Sequence, residues 1–239
     1  VCVGHEPCHE CGSKDNLARY DDGHAFCFSV DCNHYERGDG SAPDNGAKLS
    51  TRDSFFKGQY QDLSKRKISA ETCRKFSYSI GEYQGTRAHI ANFVREGQVV
   101  GQKNKDFRTL GDCSGLWGKH LWSTGKKIVI TEGEIDALSV AESQNCKWPV
   151  VSIPNGVGSA TKAVAKDLEW LLGFDEIILM FDMDSQGQVA AGKVAELLPP
   201  GRCKIATTAR KDANDSLIEA GCWRRYVGPS KLPDDGIRP

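Results

Sequence analysis

From Lys126 onward the chain repeats one pattern, an apolar run short enough for a strand followed by a segment of helical texture. The runs are "KIVIT", "PVVSI", "EIILMFD" and "CKIATT", and the segments between them that read as helices are 134–145, 158–172 and 186–198. A strand covered on both faces reads as a continuous apolar run, and two parallel neighbours need a crossover that a helix supplies. The pattern leaves little room for anything but a mostly parallel sheet covered by helices, an α/β arrangement.

Acids stand where two of these strands end. Glu132 directly follows "IVIT", and Gly133 is read as the residue that lets the backbone turn into the next helix. Asp182 and Asp184 follow "IILMF" two residues apart, so in an extended strand end their side chains leave on one face. Carboxylates gathered at neighbouring strand ends repel unless a cation lies between them, and hard oxygen ligands suit Mg2+ or Mn2+. A third group, "RKDANDS", places Asp212 and Asn214 after "CKIATT". Glu134 and Asp136 sit in a first helical turn, where acids favour the positive end of the helix dipole, and they are read as support for the helix start and for the acids of the site around it.

The N-terminal region has a different texture. Cys8 and Cys11 are spaced C-x2-C and Cys27 and Cys32 C-x4-C, while the other six of the ten cysteines are scattered singly. Two close pairs on two turns can present four thiolates to one Zn2+, and a ribbon this small needs that metal as its core. His34 in place of Cys32 is a second possible ligand set. A disulfide pairing would need an oxidising compartment that nothing else in the chain suggests. In the loop "ARYDDGHAFCF", Asp22 and His24 have two readings: hydrogen bonds to template base edges, with Tyr20, Phe26 and Phe28 as stacking faces, or a turn cap beneath packed aromatics.

Composition then divides the chain: a zinc-binding ribbon at 1–37, a Gly/Ser/Pro/Asp-rich flexible linker at 38–55, a basic α+β subdomain at 56–126, the acidic parallel-sheet subdomain at 127–222 and a linker-like tail at 223–239. In the basic part Ser69 is placed to cap a short helix, and "RAHIANFVREGQVVGQKNKDF" alternates as two strands around the turn "REGQ". The overall net charge of -1 conceals a segregation: residues 1–56 hold 5 Lys+Arg against 10 Asp+Glu, residues 57–127 hold 14 against 6, and residues 128–239 hold 12 against 16. A basic middle can be a solvated surface or a phosphate-binding face. No apolar run is long enough to span a bilayer, so no membrane association is expected. The start has neither a basic-then-apolar leader nor a Met, so the chain reads as intracellular and as a trimmed chain or a fragment.

"TEGEIDAL" followed by "FDMDSQG" resembles the Toprim domain of bacterial-type primases, topoisomerases and related nucleases. Together with the four-cysteine ribbon, the linker, "GQKNKDFRTLG", "LWGKHLW", "GKKIVITEGEID" and "KDAN", in this order, nearly the whole chain resembles the primase half of the T7-like phage primase-helicase family. It departs in its C-x4-C pair, where that family usually shows C-x2-C, and in having no G-x4-GK[ST] motif, so the helicase half is not in this chain.

The resemblance implies a primase: template-directed synthesis of short RNA primers on single-stranded DNA from ribonucleoside triphosphates. It would have one structural Zn2+ and one or two catalytic Mg2+ or Mn2+. Glu132, Asp182 and Asp184 would be the catalytic, magnesium-holding acids. Lys103, Lys105, Arg108, Lys119 and Asp212 would contact nucleotide or template, and Asp22 and His24 would read template bases. A replicative helicase and a DNA polymerase would be its partners in the cytoplasm of a phage-infected host cell. Two readings of other classes remain at this point: a Toprim-type metal-dependent nuclease, and a non-catalytic zinc-dependent adaptor that binds single-stranded DNA.

Overall fold

The structure is a computed structural model that describes residues 2–29, 32, 34–38, 55–83, 85–104, 109–208 and 210–220. Most of the expected linker, the whole expected tail, Lys105 and Arg108 lie outside the described residues. The chain divides into two compact units, Val1–Lys48 and Leu49–Pro239.

The first unit is a small antiparallel sheet of β1 (Cys2–Glu6), β2 (Leu17–Tyr20), β3 (Ala25–Cys27) and β4 (Tyr35–Glu36), in that order. Its buried cluster consists of Cys8, Leu17, Ala25 and Cys27, with Cys32 packed against them. Four residues, two of them cysteines, bury too little apolar surface to hold a fold, so the sulfurs form its centre.

The second unit holds two sheets. The first is antiparallel, in the order β5 (Gly58–Gln59), β6 (Tyr78–Tyr83), β7 (Thr86–Arg95), β8 (Gln98–Asn104) and β9 (Thr109–Gly111), preceded at β6 by helix α1 (Ala70–Lys75). Ser69 caps α1 by accepting the Thr72 amide at 3.3 Å, as its position predicts. β7 and β8 turn through Glu96 and Gly97 with φ of 51° and 73°, the paired positive values of a tight hairpin turn.

The second sheet is parallel, in the order β11 (Val150–Ser152), β10 (Gly125–Thr131), β12 (Phe174–Met180), β13 (Cys203–Ile205). Helices α2 (Glu134–Ser143), α3 (Ala160–Lys166) with α4 (Leu168–Leu171), and α5 (Ser185–Ala195) make the crossovers, and α6 (Ala213–Ala220) follows β13. Alternate residues of the central strands serve opposite faces. Val129 and Met180 pack with α2 and α6, whereas Ile128, Ile130, Ile177 and Leu179 pack with α3, α4 and α5.

One helix expected over 158–172 is broken at Asp167, whose φ of -104° and ψ of 14° leave the helical region. The cause is distant in sequence: the buried Asp167 carboxylate accepts the Leu116 amide at 2.6 Å and the Lys119 ammonium at 2.7 Å. The two sheets are joined at Trp117, which is fully buried, bridges to Ser152 beside β11 and donates its indole N–H to the Asn92 carbonyl of β7 at 2.9 Å.

Candidate active site

The strand order places a switch point between β10 and β12. From β10 the chain crosses over to β11 on one side, and from β12 to β13 on the other, so α2 and α5 cover opposite faces. A crevice results at the carboxyl ends of the two central strands, where open α/β sheets bind their ligands. Thr131 and Met180 are the last paired residues, and the chains leave them as Glu132 and Phe181-Asp182. The acids expected from the two strand ends therefore share one crevice.

Local hydrogen bonds hold each acid. The Asp182 amide points at Glu132 Oε2 at 3.4 Å. Asp184 caps α5 by accepting the Gly187 amide at 2.9 Å, which fixes the side chain two residues beyond Asp182. Gly187 is required by contact, since a Cβ there would stand 2.4 Å from the Asp182 carbonyl oxygen. Met183 N–H donates to the Lys211 carbonyl at 2.7 Å, bringing the segment before α6 alongside. Asp212 then accepts the Asp215 amide at 2.7 Å at the start of α6, and Lys211 Nζ lies 3.9 Å from Asp182 Oδ2.

Gly133 behaves differently from the expectation. Its φ of -125° is open to any residue, and what crowds a Cβ there is Asp136 Oδ2, at 3.1 Å.

Asp136 and Glu134 are held by contacts beyond the helix start. Asp136 is partly buried and accepts the Asn214 amide at 3.1 Å. Asn214 is itself clasped by Arg66 at 2.9 Å and Ser139 at 2.8 Å. Burial, reinforced by the negative charges of Asp212 and Asp182, pushes the Asp136 carboxyl up to about 8. Glu132 and Asp182 are raised in the same sense, burial being the larger cause and the neighbouring carboxylates adding to it. Carboxyl groups gathered without a counterion raise one another in this way, and a cation placed among them would reverse the shift. Glu134 is partly buried too, raised by burial and opposed by Lys103, whose ammonium it binds at 2.7 Å. Lys103 also donates to the Pro154 carbonyl and lines, with Arg66, Tyr78 and His89, a cavity of about 200 Å3 next to the start of α2.

Lys119 is engaged elsewhere, by Asp167 and over the Trp170 ring at 5.2 Å.

Among the described residues, two groups of three or more metal-binding side chains bring their donor atoms within 4.8 Å of one another: Cys8, Cys11, Cys27, Cys32, and His9, Glu10, His34. The four cysteines are placed as the ligands of one metal ion would be. Cys8 and Cys32 Sγ lie 3.6 Å apart, as do Cys11 and Cys27 Sγ. A disulfide would need about 2.05 Å, whereas tetrahedral Zn–S bonds of about 2.3 Å set edges of about 3.8 Å. The Ser13 hydroxyl draws the Cys11 thiol down to about 5, while burial and the neighbouring sulfurs push Cys32 up to about 12, so the four sulfurs share their charge unevenly. His34 turns instead toward His9, with ring centroids 4.4 Å apart, and toward Glu36 at 3.3 Å, while Cys32 Sγ stands with the other three sulfurs. The acids of the crevice are more open than the cysteine site: no three of their side chains meet the same 4.8 Å limit. Mg2+ fits that arrangement, since it keeps several waters and takes only one or two carboxylates directly.

In the ribbon, Asp22 binds the His24 ring and accepts its amide at 3.3 Å, while Tyr20 stacks on that ring at 4.2 Å. Phe28 keeps 59% of its surface exposed and leaves one aromatic face open.

The chain matches two family models: the N-terminal α+β fold of the bacteriophage T7 DNA helicase/primase over residues 58–111, and a Toprim-like model over 129–217. It is 41% identical over 91% of its length to the DNA helicase/primase of Enterobacteria phage T3, and it spans 42% of that relative. It is also 41% identical to the crystallised primase fragment of the bacteriophage T7 primase-helicase, covering 90% of this chain and 94% of that one with a TM-score of 0.64. A second T7 structure, primase domains bound to an RNA/DNA hybrid and interacting with lagging-strand DNA polymerase, matches 73% of this chain and 95% of that one at 41% identity and a TM-score of 0.67. A DNA primase domain from Pseudomonas aeruginosa, at 14% identity and a TM-score of 0.50 over 65% of both chains, shares the fold.

Proposed function

The chain belongs to the T7-type phage DNA helicase/primase family, spanning about two fifths of the length of its phage T3 relative, and from that premise we propose that it is a DNA primase. It would join ribonucleoside triphosphates into short primers on a single-stranded DNA template. The observation that carries this reading is the crevice between β10 and β12, where Glu132, Asp182 and Asp136 are held with raised carboxyl groups.

In each step the 3′-hydroxyl of one ribonucleotide attacks the α-phosphorus of the next, a new phosphodiester forms and pyrophosphate leaves. A divalent cation, Mg2+ or Mn2+, supplies charge neutralisation on the triphosphate when bound. Asp182 and Asp184 would hold that cation, and Asp212 would position the triphosphate or a second ion. Glu132 ligates alongside them or accepts the hydroxyl proton, for which an elevated carboxyl is the better base. Lys103 and Arg66, lining the cavity beside α2, face the incoming phosphates. Lys105 and Arg108 extend that basic edge in the sequence. Lys119, fixed by Asp167, is better suited to the template backbone than to the triphosphate.

The ribbon binds one structural Zn2+ through Cys8, Cys11, Cys27 and Cys32. Asp22 and His24 present a joined acceptor and donor near the exposed Tyr35 ring, 6.0 Å from that of His24, a set suited to a base edge and its face. Replicative helicase and DNA polymerase are the partners that such a product requires, in the cytoplasm of the infected host cell. Among the described residues no helix is long and apolar enough to cross a membrane.

The test supplies single-stranded template, ribonucleotides and Mg2+. Asp182→Asn is expected to lower oligoribonucleotide synthesis at least a hundredfold with the thermal transition retained. Unchanged synthesis would remove Asp182 from the reaction, and plasmid nicking without nucleotides would favour the nuclease reading. Single-stranded DNA binding with no nucleotide turnover under Mg2+ or Mn2+ would favour the adaptor.

A further inference from the structure

A second groove lies at the other end of the parallel sheet. Its volume is about 570 Å3, and it opens at the amino end of β10 between Trp122, Trp148, Pro149 and the stems of Lys126, Lys127 and Lys147. β10 rises about 3.3 Å per residue, so the groove runs from Gly125, about 20 Å from the acids, to Val129, about 10 Å from Glu132. The catalytic proposal makes no use of it.

The groove is held in place by hydrogen bonds. Trp148 follows a turn in which Asn145 and Cys146 have φ of 53° and 52°, and Gln144 holds its carbonyl at 3.1 Å. Trp122 donates its indole N–H to the Val150 carbonyl at 3.0 Å. Lys75, at the end of α1, ties that helix to the turn by donating to the Cys146 carbonyl at 2.7 Å. Despite this anchoring, Trp148 leaves 50% of its surface exposed.

Cations accompany the rings. Lys75 lies 5.5 Å from the Trp122 ring centre, Lys147 5.0 Å from that of Trp148, and Arg74, one residue before Lys75, 5.8 Å from that of Tyr60. The groove lining holds three lysines and no carboxylate. One of them, Lys127, is paired with Glu176 at 2.8 Å, and Lys126 and Lys147 remain to give the rim its positive sign.

We propose that this groove is a second contact for a single-stranded nucleic acid, stacking a base on Trp148 while Lys75, Lys126 and Lys147 neutralise its phosphates. Repeated pairing of a ring with a cation is the requirement of a chain that alternates bases with phosphates, and stacking with backbone neutralisation binds single strands regardless of sequence. An acidic peptide would satisfy the lysines and leave the aromatic faces without a matching partner. The proposal rests on the primase reading for its biological role, as the place where template is gripped away from the acids.

The test uses the full chain and fluorescein-labelled oligo(dT), followed by anisotropy. Trp148→Leu, which keeps apolar bulk and loses the ring face, is expected to weaken binding about tenfold, and Trp148→Phe much less. Lys126→Ala with Lys147→Ala is expected to flatten the dependence of log affinity on log salt by about 0.7 per lysine. At saturating template these variants are expected to make dinucleotide at the parent rate. Equal weakening by Leu and Phe, affinities within twofold of the parent, or polyglutamate competing as well as oligo(dT) at equal charge would each overturn the proposal. Primer synthesis by the parent chain is scored separately: binding through the groove without synthesis defeats the primase reading alone, and synthesis with undiminished variant binding defeats the groove alone.

Discussion

Replacing Asp136 with Asn is expected to stabilise the protein when no divalent cation is added and to damage it as an enzyme. Asp136 is partly buried against Asp212, Asp182 and Glu132, and its carboxyl is moved from an ordinary 3.8 up to about 8. At pH 7 the unfolded chain carries it ionised, whereas the folded chain takes up a proton. The contribution of this group to stability is then fully present below about pH 4 and is lost as pH rises toward 8, because the folded state binds the extra proton. At 1.36 kcal/mol per pKa unit, holding this carboxyl protonated at pH 7 against an ordinary value of 3.8 costs about 4 kcal/mol. Relaxation of the surroundings returns part of this, leaving an expected gain of about 2–4 kcal/mol for a neutral amide. The amide oxygen keeps the bond from the Asn214 N–H. For a unit of this size the gain corresponds to about 5–15 °C in Tm. Thermal unfolding from pH 5 to 8 without added Mg2+ is the assay, with the variant giving a flatter profile than the parent. Added Mg2+ should raise the parent's Tm more than the variant's, since only the carboxylate can answer a cation. Parallel pH profiles for the two chains would refute the assignment of the buried proton to Asp136.

Two further outcomes follow from contacts of single residues. Cys27→Ser is expected to lower bound zinc from one equivalent to none, read by mass spectrometry of the native protein, and to remove amide protection across β2 and β3, because Leu17 and Ala25 cannot hold that sheet without the metal. Gly187→Ala places a methyl group 2.4 Å from the Asp182 carbonyl and is expected to cut primer synthesis at least tenfold, while Gly192→Ala in the same helix meets nothing within 4 Å and should raise stability by up to about 1 kcal/mol with synthesis unchanged. Equal activity in the two glycine variants would show that the strand end can shift without consequence.

The elements that could be read from sequence are those whose pattern is set locally. β10 and β12 are covered on both faces and show it as unbroken apolar runs, and the β7–β8 turn needs a glycine where φ is 73°. The break at Asp167 is invisible by the same logic. A helical pattern runs through it, and the groups that pull the chain out of the helix are a backbone amide and a lysine about fifty residues earlier. α6 was hidden for a related reason. "ANDSLIEA" reads as polar, and its helical state depends on Asp212 capping its start and on Ala213 and Leu217 packing against α2. β5 and β9, two and three residues long, have no period of their own and exist because β6 and β8 offer them an edge.

The site divides along the same line. Glu132, Asp182 and Asp184 stand after apolar strands, where the topology of an open parallel sheet gives their position meaning. Asp136 and Glu134 stand in a helical first turn, where an acid is ordinarily solvated, and the favourable dipole offers a sufficient reason for both. What overrides it is the burial of α2: Ala137, Leu138, Ser139, Val140 and Ala141 are all buried, so the helix has no wide polar face to give its acids to water. Five small or apolar residues in succession were the available signal. An acid at the start of a helix buried on this scale must pair or keep its proton, and the two acids take different courses. Glu134 takes Lys103 as its partner, whereas burial and the charges of neighbouring carboxyls favour the protonated form of Asp136, which a cation would oppose. Cation binding at this crevice is therefore tied to proton release, and its apparent affinity should rise with pH up to about 8.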